Sequence, residues 1–226
     1  MTTQPATIPR DFPVEPVFPV GIPEGFSPGR ALTRDSGNIT CSGYDPGDDY
    51  KPRWGGGFFQ ARDAGQHAAL DIMAAEGALV RAVDDGTVKR TVRMGGQTYP
   101  GAGSSPNGGY YVWIDHPWGT SYYSHLRDMP KVRPGQVVRK GETLGFVGRT
   151  GNASVGCPHL HIALANLGGQ KFDPKEALEY VYNQGDWAKD YERKFSVLGL
   201  GVGALAGVFG VAVAAYFLAR PLLRRR

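Results

Sequence analysis

Gly156-Cys157-Pro158-His159-Leu160-His161-Ile162-Ala163-Leu164 sets imidazole and aliphatic side chains in alternation from His159 to Ile162. On a β-strand successive side chains point to opposite faces, so His159 and His161 share one face while Leu160 and Ile162 enter the core. The stretch reads as a strand that aims two imidazoles into one groove. Two more of the chain's five histidines, His67 and His125, lie in apolar, strand-like surroundings where an unpartnered imidazole is costly to bury. His116, in a turn ahead of Pro117, stands apart and is expected to be exposed.

The residues leading up to the histidine pair read as short strands broken by glycine. Val132 to Gly148 holds two of them, and Thr150-Gly151-Asn152 turns the chain into the pair. Tyr110 to Asp115 and Thr120 to His125 form a hairpin across His116-Pro117-Trp118-Gly119, with His125 closing its second strand. Ala78 to Val83 and Thr87 to Val92 read as a further hairpin across Asp84-Asp85-Gly86. Gly95 to Gly109, rich in Gly, Ser and Pro, reads as a long loop of the kind that borders a binding groove. Six or more antiparallel strands with glycine turns argue an all-β domain.

Ahead of these strands, His67-Ala68-Ala69-Leu70-Asp71-Ile72 places an imidazole and a carboxylate four residues apart, a separation that puts them on one face. A carboxylate set between Leu70 and Ile72 calls for a partner or a metal, because an ionised group is rarely buried alone. Imidazole and carboxylate are both ligands that zinc takes.

Composition narrows the function classes. The 226 residues are 41% hydrophobic, enough for a core, while 33 glycines and 17 prolines assign much of the chain to turns. The net charge of +4 is small and draws on Arg224-Arg225-Arg226, and no basic stripe interleaved with aromatics points to nucleic acid. No phosphate-binding glycine pattern opens a helix, which excludes nucleotide chemistry of that kind. Cys41 and Cys157 form no CxxC cluster. A disulfide between them needs an oxidising compartment and a short Cα separation that spacing does not supply. Cys157 otherwise reads as a small buried residue beside the site, with a weak metal contact as the rival reading.

Together, His67-Ala68-Ala69-Leu70-Asp71, Tyr123-Ser124-His125-Leu126 and Pro158-His159-Leu160-His161, in that order, resemble the lysostaphin-like (LytM-type) zinc endopeptidases that cut peptidoglycan peptides. Pro134-Gly135-Gln136-Val137-Val138 and Lys140-Gly141-Glu142-Thr143-Leu144-Gly145 fit the same pattern, and the resemblance runs from Trp54 to Asp173. It implies an antiparallel, sandwich-like β domain with a groove, of the duplicated-hybrid-motif type, holding one Zn2+ per chain. His67, Asp71 and His161 match the family's metal ligands. His125 and His159 match its two non-ligand catalytic histidines. Where the family usually has glycine this chain has Ala69, and a methyl group fits there if φ is negative. Tyr123, two residues before His125, would share its strand face and could line the groove, although a packed tyrosine is the simpler reading.

The two ends carry other signals. Residues 1–40 read as a Pro-rich extended arm without the apolar stretch of a secretory signal; Phe12, Phe18, Val20 and Phe26 could dock it, or it could be a plain linker. Residues 41–173 are the expected peptidase domain. Residues 174–194 hold a helix, begun by Asp173-Pro174-Lys175-Glu176, and a juxtamembrane linker. Residues 195–219 are 25 uncharged residues, as a helix roughly 37 Å long, and read as a transmembrane span before the basic tail 220–226. Gly199, Gly203 and Gly207 form a small-residue stripe that suits self-association in a bilayer. Arg220 and Arg224 to Arg226 against Lys189, Arg193 and Lys194 weakly favour a domain outside the membrane.

The expected function is a membrane-anchored zinc metalloendopeptidase that hydrolyses peptide cross-links of bacterial peptidoglycan, in a cell envelope or as a bacteriophage virion lysin with virion proteins as partners. The alternatives are a catalytically silent wall-binding or hydrolase-activating module and a structural virion membrane protein.

Overall fold

Tyr110–His116 and Gly119–Leu126 pair antiparallel across the two-residue turn Pro117-Trp118, as their alternating patterns require. This hairpin is the centre of the computed structural model, which describes residues 7–13, 16–23, 52–62, 65–92, 107–154 and 156–185. In chain order the strands are β1 Val20–Pro23, β2 Arg53–Trp54, β3 Ala61–Arg62, β4 Gly65–Gln66, β5 Leu70–Met73, β6 Ala78–Arg81, β7 Gly86–Val92, β8 Tyr110–His116, β9 Gly119–Leu126, β10 Val137–Val138, β11 Thr143–Phe146, β12 His159–Asn166 and β13 Lys171–Phe172. Helix α1, Lys175–Asn183, follows, and Asp173 Oδ1 accepts the Lys175 N–H at 3.0 Å at its start. The architecture is mostly antiparallel β with one short helix.

The larger sheet runs β10-β7-β8-β9-β12-β5-β2, with β13 on β12; β1-β6-β11 form a second sheet and β3-β4 a small separate hairpin. The expected hairpin of Ala78 to Val83 with Thr87 to Val92 does not form: β6 pairs with β1 and β11, while β7 pairs with β8 and β10. The reason is legible in burial. All four residues of β6 are buried, so this strand is a central one covered on both faces, and the chain changes sheets across Ala82 to Asp85.

Part of the Pro-rich arm is built into the core. Phe12 packs edge-on against Trp118 and Phe172, and Phe18 meets Trp54 and Tyr182. Arg81 donates to the Phe18 carbonyl at 2.7 Å through Nη2, and the Val17 N–H reaches Val83 O at 2.9 Å. Phe12, Phe18 and Val20 of this strap are therefore as deeply buried as the core residues of the sheets. Helix α1 joins the same cluster, since Leu178 and Val181 are buried and the Tyr182 hydroxyl donates to Pro52 O at 2.7 Å.

His116 is not the exposed turn residue that its neighbour Pro117 suggests. It is the last residue of β8, buried, and stacked on Trp118 with ring centroids 4.5 Å apart. Its Nδ1–H donates to Asp85 O at 2.7 Å, and its Nε2 accepts the Ser121 hydroxyl at 2.6 Å. The neutral ring is thus satisfied on both sides. Burial pushes its pKa down, against the pull of the Asp84, Asp115 and Asp85 carboxylates. A depressed folded value means the unfolded chain takes up the proton first as pH falls. The His116 contribution is therefore fully present above about pH 6.5, the unfolded value, and is lost as the pH drops from there toward the folded value. The urea midpoint should be lower at pH 5 than at pH 7.5, and His116→Gln should shrink that difference; an equal difference in the variant would show that the ring is not the source.

Residues 195–219, expected to span a membrane, lie outside the described residues, as do Cys41, Phe26 and most of the Gly95 to Gly109 loop. Among the described residues no helix is long and apolar enough to cross a membrane.

Candidate metal centre

Three neighbouring strands deliver the site. In the register of β12 on β5, His161 stands opposite Asp71, and in that of β12 on β9 it stands opposite Ser124, the residue before His125. Strand alternation places Leu160 and Ile162 in the core, both fully buried, and turns His159 and His161 to the other face. His67 arrives from the turn between β4 and β5.

Two backbone kinks complete the convergence. Among the described residues, the non-glycine residues with positive φ are Ala68 at 50° and His125 at 63°. Such a left-handed conformation costs an L-residue roughly 1–2 kcal/mol, and it occurs here next to or at a site histidine. At Ala68 it separates His67 from the strand carrying Asp71. At His125 it breaks the alternation of β9, so Tyr123 does not share a face with His125. Tyr123 lies in the core, and its hydroxyl accepts the Val83 N–H at 3.0 Å. Ala69, where glycine is the family's usual residue, is buried and has no positive φ, so its methyl group fits.

The donor atoms are close. His67 Nε2 and Asp71 Oδ1 are 3.1 Å apart, His161 Nδ1 and Asp71 Oδ1 3.0 Å, and His67 Nε2 and His161 Nδ1 3.0 Å. Ligands at 2.0–2.2 Å around a tetrahedral zinc stand roughly 3.3–3.6 Å apart, so this triangle is near ligand spacing already. The donor chemistry fits a cation as well. His67 Nδ1–H donates to Gly57 O at 3.1 Å, which makes Nε2 the lone-pair nitrogen. His161 Nδ1 therefore faces two acceptors with at most one proton between them, an arrangement that a bound cation resolves. His67, Asp71 and His161 are the group of the described residues that could hold a metal ion.

His125 and His159 flank this group. Their ring centroids are 4.8 Å apart, and that of His125 is 5.7 Å from that of His161. Each is held by a carbonyl: His125 Nδ1–H donates to Thr150 O at 2.9 Å and His159 Nδ1–H to Cys157 O at 2.8 Å. Both rings therefore keep Nε2 as the nitrogen able to accept a proton, and His159 Nε2 lies 4.0 Å from Asp71 Oδ1. Cys157 is disulfide-bonded, which removes its sulfur as a metal ligand; the sequence has one other cysteine, Cys41.

The electrostatics favour neutral His125 and His161 and a charged Asp71. Burial alone would raise the Asp71 pKa, but hydrogen bonding, chiefly with His161, outweighs it and holds the carboxyl well below its ordinary range. Burial pushes His161 down despite its bond to Asp71, and burial together with the neighbouring His159 takes His125 down to about 4.

Residues 65–174 match the model of peptidase family M23. Over this stretch the chain resembles the M23 metallopeptidases. The chain is 37% identical over 109 residues to the DD-carboxypeptidase/endopeptidase Mpg of Neisseria meningitidis serogroup B and to that of Neisseria gonorrhoeae. Each match covers 48% of this chain and 22% of the relative, so the chain spans about a fifth of those proteins' length. Among solved structures it is similar to the catalytic domain of lysostaphin from Staphylococcus simulans, with 23% identity, a TM-score of 0.47, and coverage of 56% of this chain and 92% of that one. A zinc-containing peptidase from Vibrio cholerae shows 24% identity and a TM-score of 0.44, covering 56% of this chain and 36% of that one.

The M23 match begins at Gly65, so it leaves out the stretch just before the hairpin β3-β4 and the hairpin's first strand. That stretch contributes to the site through residues that pattern reading passes over. Gly57 orients His67, and Arg62 Nη2 donates to Asp71 Oδ2 at 2.7 Å. Thr150 is the third: its hydroxyl donates to Leu126 O at 2.6 Å and accepts the Tyr110 N–H at 3.0 Å, which fixes the carbonyl that holds His125. The triplet Gly55-Gly56-Gly57 is the one sequence signal that marks this region.

Proposed function

We propose that this protein is a zinc metalloendopeptidase that hydrolyses peptide cross-links of bacterial peptidoglycan. The observation that carries the reading is the triangle of His67 Nε2, Asp71 Oδ1 and His161 Nδ1, with edges of 3.0–3.1 Å, beside two histidines held by backbone carbonyls. His67, Asp71 and His161 would hold one Zn2+, leaving a position open for water and substrate. When bound, the zinc supplies Lewis acidity toward the attacking water and the scissile carbonyl. His125, neutral at pH 7 and with Nε2 unprotonated, accepts the proton of the attacking water. That proton, then on His125 Nε2, passes to the leaving amine, and His159 hydrogen-bonds the developing oxyanion when its Nε2 carries a proton. The kinked backbone at Ala68 and His125 keeps the groups in place before substrate arrives.

Peptidoglycan as substrate is supported by the family and by the DD-carboxypeptidase/endopeptidase name of the relatives. The uncharged stretch 195–219 anchors the protein in a membrane, of a cell envelope or of a virion, with the peptidase domain on the wall side. Full-length chain should fractionate with membranes and, solubilised in detergent, hold one zinc per chain and release new amino groups from purified peptidoglycan. Chelation should abolish the release and added zinc restore it. Zinc bound with no release from several wall types would replace the enzyme by a wall-binding module, and a chain without zinc would overturn the metal site itself.

A further inference from the structure

Gly55-Gly56-Gly57 runs along the edge of β5, and its middle residue sits over the metal-ligand carboxylate. The Gly56 carbonyl accepts the Asp71 N–H at 2.8 Å. A Cβ at Gly56 would lie 2.5 Å from Asp71 Oδ2, 2.5 Å from Gln60 Oε1 and 2.7 Å from Arg62 Nη2. Those three atoms form one chain of contacts: Arg62 Nη2 donates to Asp71 Oδ2 at 2.7 Å and to Gln60 Oε1 at 3.1 Å. The two oxygens of Asp71 are thereby given separate work. Oδ1 faces His67 and His161, and Oδ2 faces the guanidinium.

We infer that Arg62 is a positioning residue for the metal, holding Asp71 Oδ2 so that Asp71 offers Oδ1 alone as a ligand, and that Gly56 is glycine because any side chain there would displace this bond. The inference rests on the zinc-site reading above and adds residues to it. Asp71 is mostly buried, whereas the Arg62 side chain is 44% exposed, so the pair holds its geometry by a charge-assisted hydrogen bond at the rim of the site. An unheld carboxylate is free to swing both oxygens toward a cation, which raises the coordination number and takes up the position that catalysis needs open. Groups that orient a metal ligand in this way are commonly worth 10–100-fold in metal affinity.

The test uses the full chain in detergent with zinc and with cobalt(II) as the probe metals. The parent is measured first by competition with a chromogenic chelator; a parent that binds no zinc overturns the zinc-site reading and leaves Arg62 nothing to position. With a zinc-binding parent, Arg62→Ala should weaken zinc by about 10–100-fold. Gly56→Ala should weaken it to a similar degree with Arg62 still present. Once Gly56→Ala has displaced the guanidinium, removing it costs nothing more, so the double variant should bind zinc as Gly56→Ala does. The visible bands of bound cobalt should weaken in Arg62→Ala, the sign of a coordination number above four, a change that a merely structural role for Arg62 would not produce. Unchanged zinc affinity and cobalt bands in Arg62→Ala, or a further loss in the double variant, would overturn the inference.

Discussion

His161→Ala is expected to lose both zinc and hydrolysis, whereas His125→Gln is expected to keep the zinc and lose only the hydrolysis. His161 supplies the nitrogen that stands 3.0 Å from both Asp71 Oδ1 and His67 Nε2, and without it two donors remain. Residues that only orient a ligand are worth 10–100-fold in affinity, so removal of a ligand itself should cost at least about 100-fold. His125 is held on Thr150 O and stands clear of the three donor atoms, so its loss removes a proton acceptor and leaves the ligands standing. General acid–base groups contribute about 10²–10⁴-fold, which is the expected fall in kcat. Zinc content by elemental analysis, set beside amino-group release from peptidoglycan, separates the two variants. If His125→Gln also lost its metal, the division into ligands and proton acceptor would be wrong.

Phe18→Ala should destabilise the fold by about 3–5 kcal/mol, the range for emptying a buried aromatic site. Phe18 is 1% exposed, and its ring touches Trp54 on β2 and Tyr182 on α1. It therefore joins three segments distant in sequence, and next to it β1 completes one edge of the sheet β1-β6-β11. A residue in a linker that merely lies on the surface would cost within about 0.5 kcal/mol. Urea unfolding of the parent and the variant decides between the two, and a shift in that smaller range would show that the strap is not part of the core. The same packing argues against testing the peptidase from about residue 40 onward, because that truncation removes Phe12, Phe18 and β1.

Much of the site is legible in the residue pattern alone. The alternation His159-Leu160-His161-Ile162 has one outcome on a strand, and Leu160 and Ile162 are indeed fully buried with the imidazoles on the opposite face. The hairpin β8-β9 and the two short strands β10 and β11 follow from the same period of two and its glycine breaks. Asp71 is recognisable because a carboxylate between Leu70 and Ile72 must find a partner, and it finds His67, His161 and Arg62. His116 departs from expectation because a position beside a turn does not by itself fix exposure. The turn packs Trp118 flat on the ring, and Ser121 and Asp85 satisfy its nitrogens.

The strand period, the five histidine and carboxylate candidates and the motifs that resemble the lysostaphin-like peptidases between Trp54 and Asp173 are readable from residue order alone, because these depend on local alternation and on residue chemistry. Tertiary structure decided the rest. Pairing of β6 with β1 and β11 instead of β7 is a competition between distant segments that burial settles, and no local pattern encodes it. The left-handed backbone at Ala68 and His125 is imposed by packing against residue preference, so propensity points away from it. The bond from Arg62 to Asp71, and the glycine that leaves room for it, exist only because the chain between Gly55 and Ala68 folds back on itself beside β5, with the Asp71 N–H on Gly56 O and the Ala68 N–H on Phe58 O.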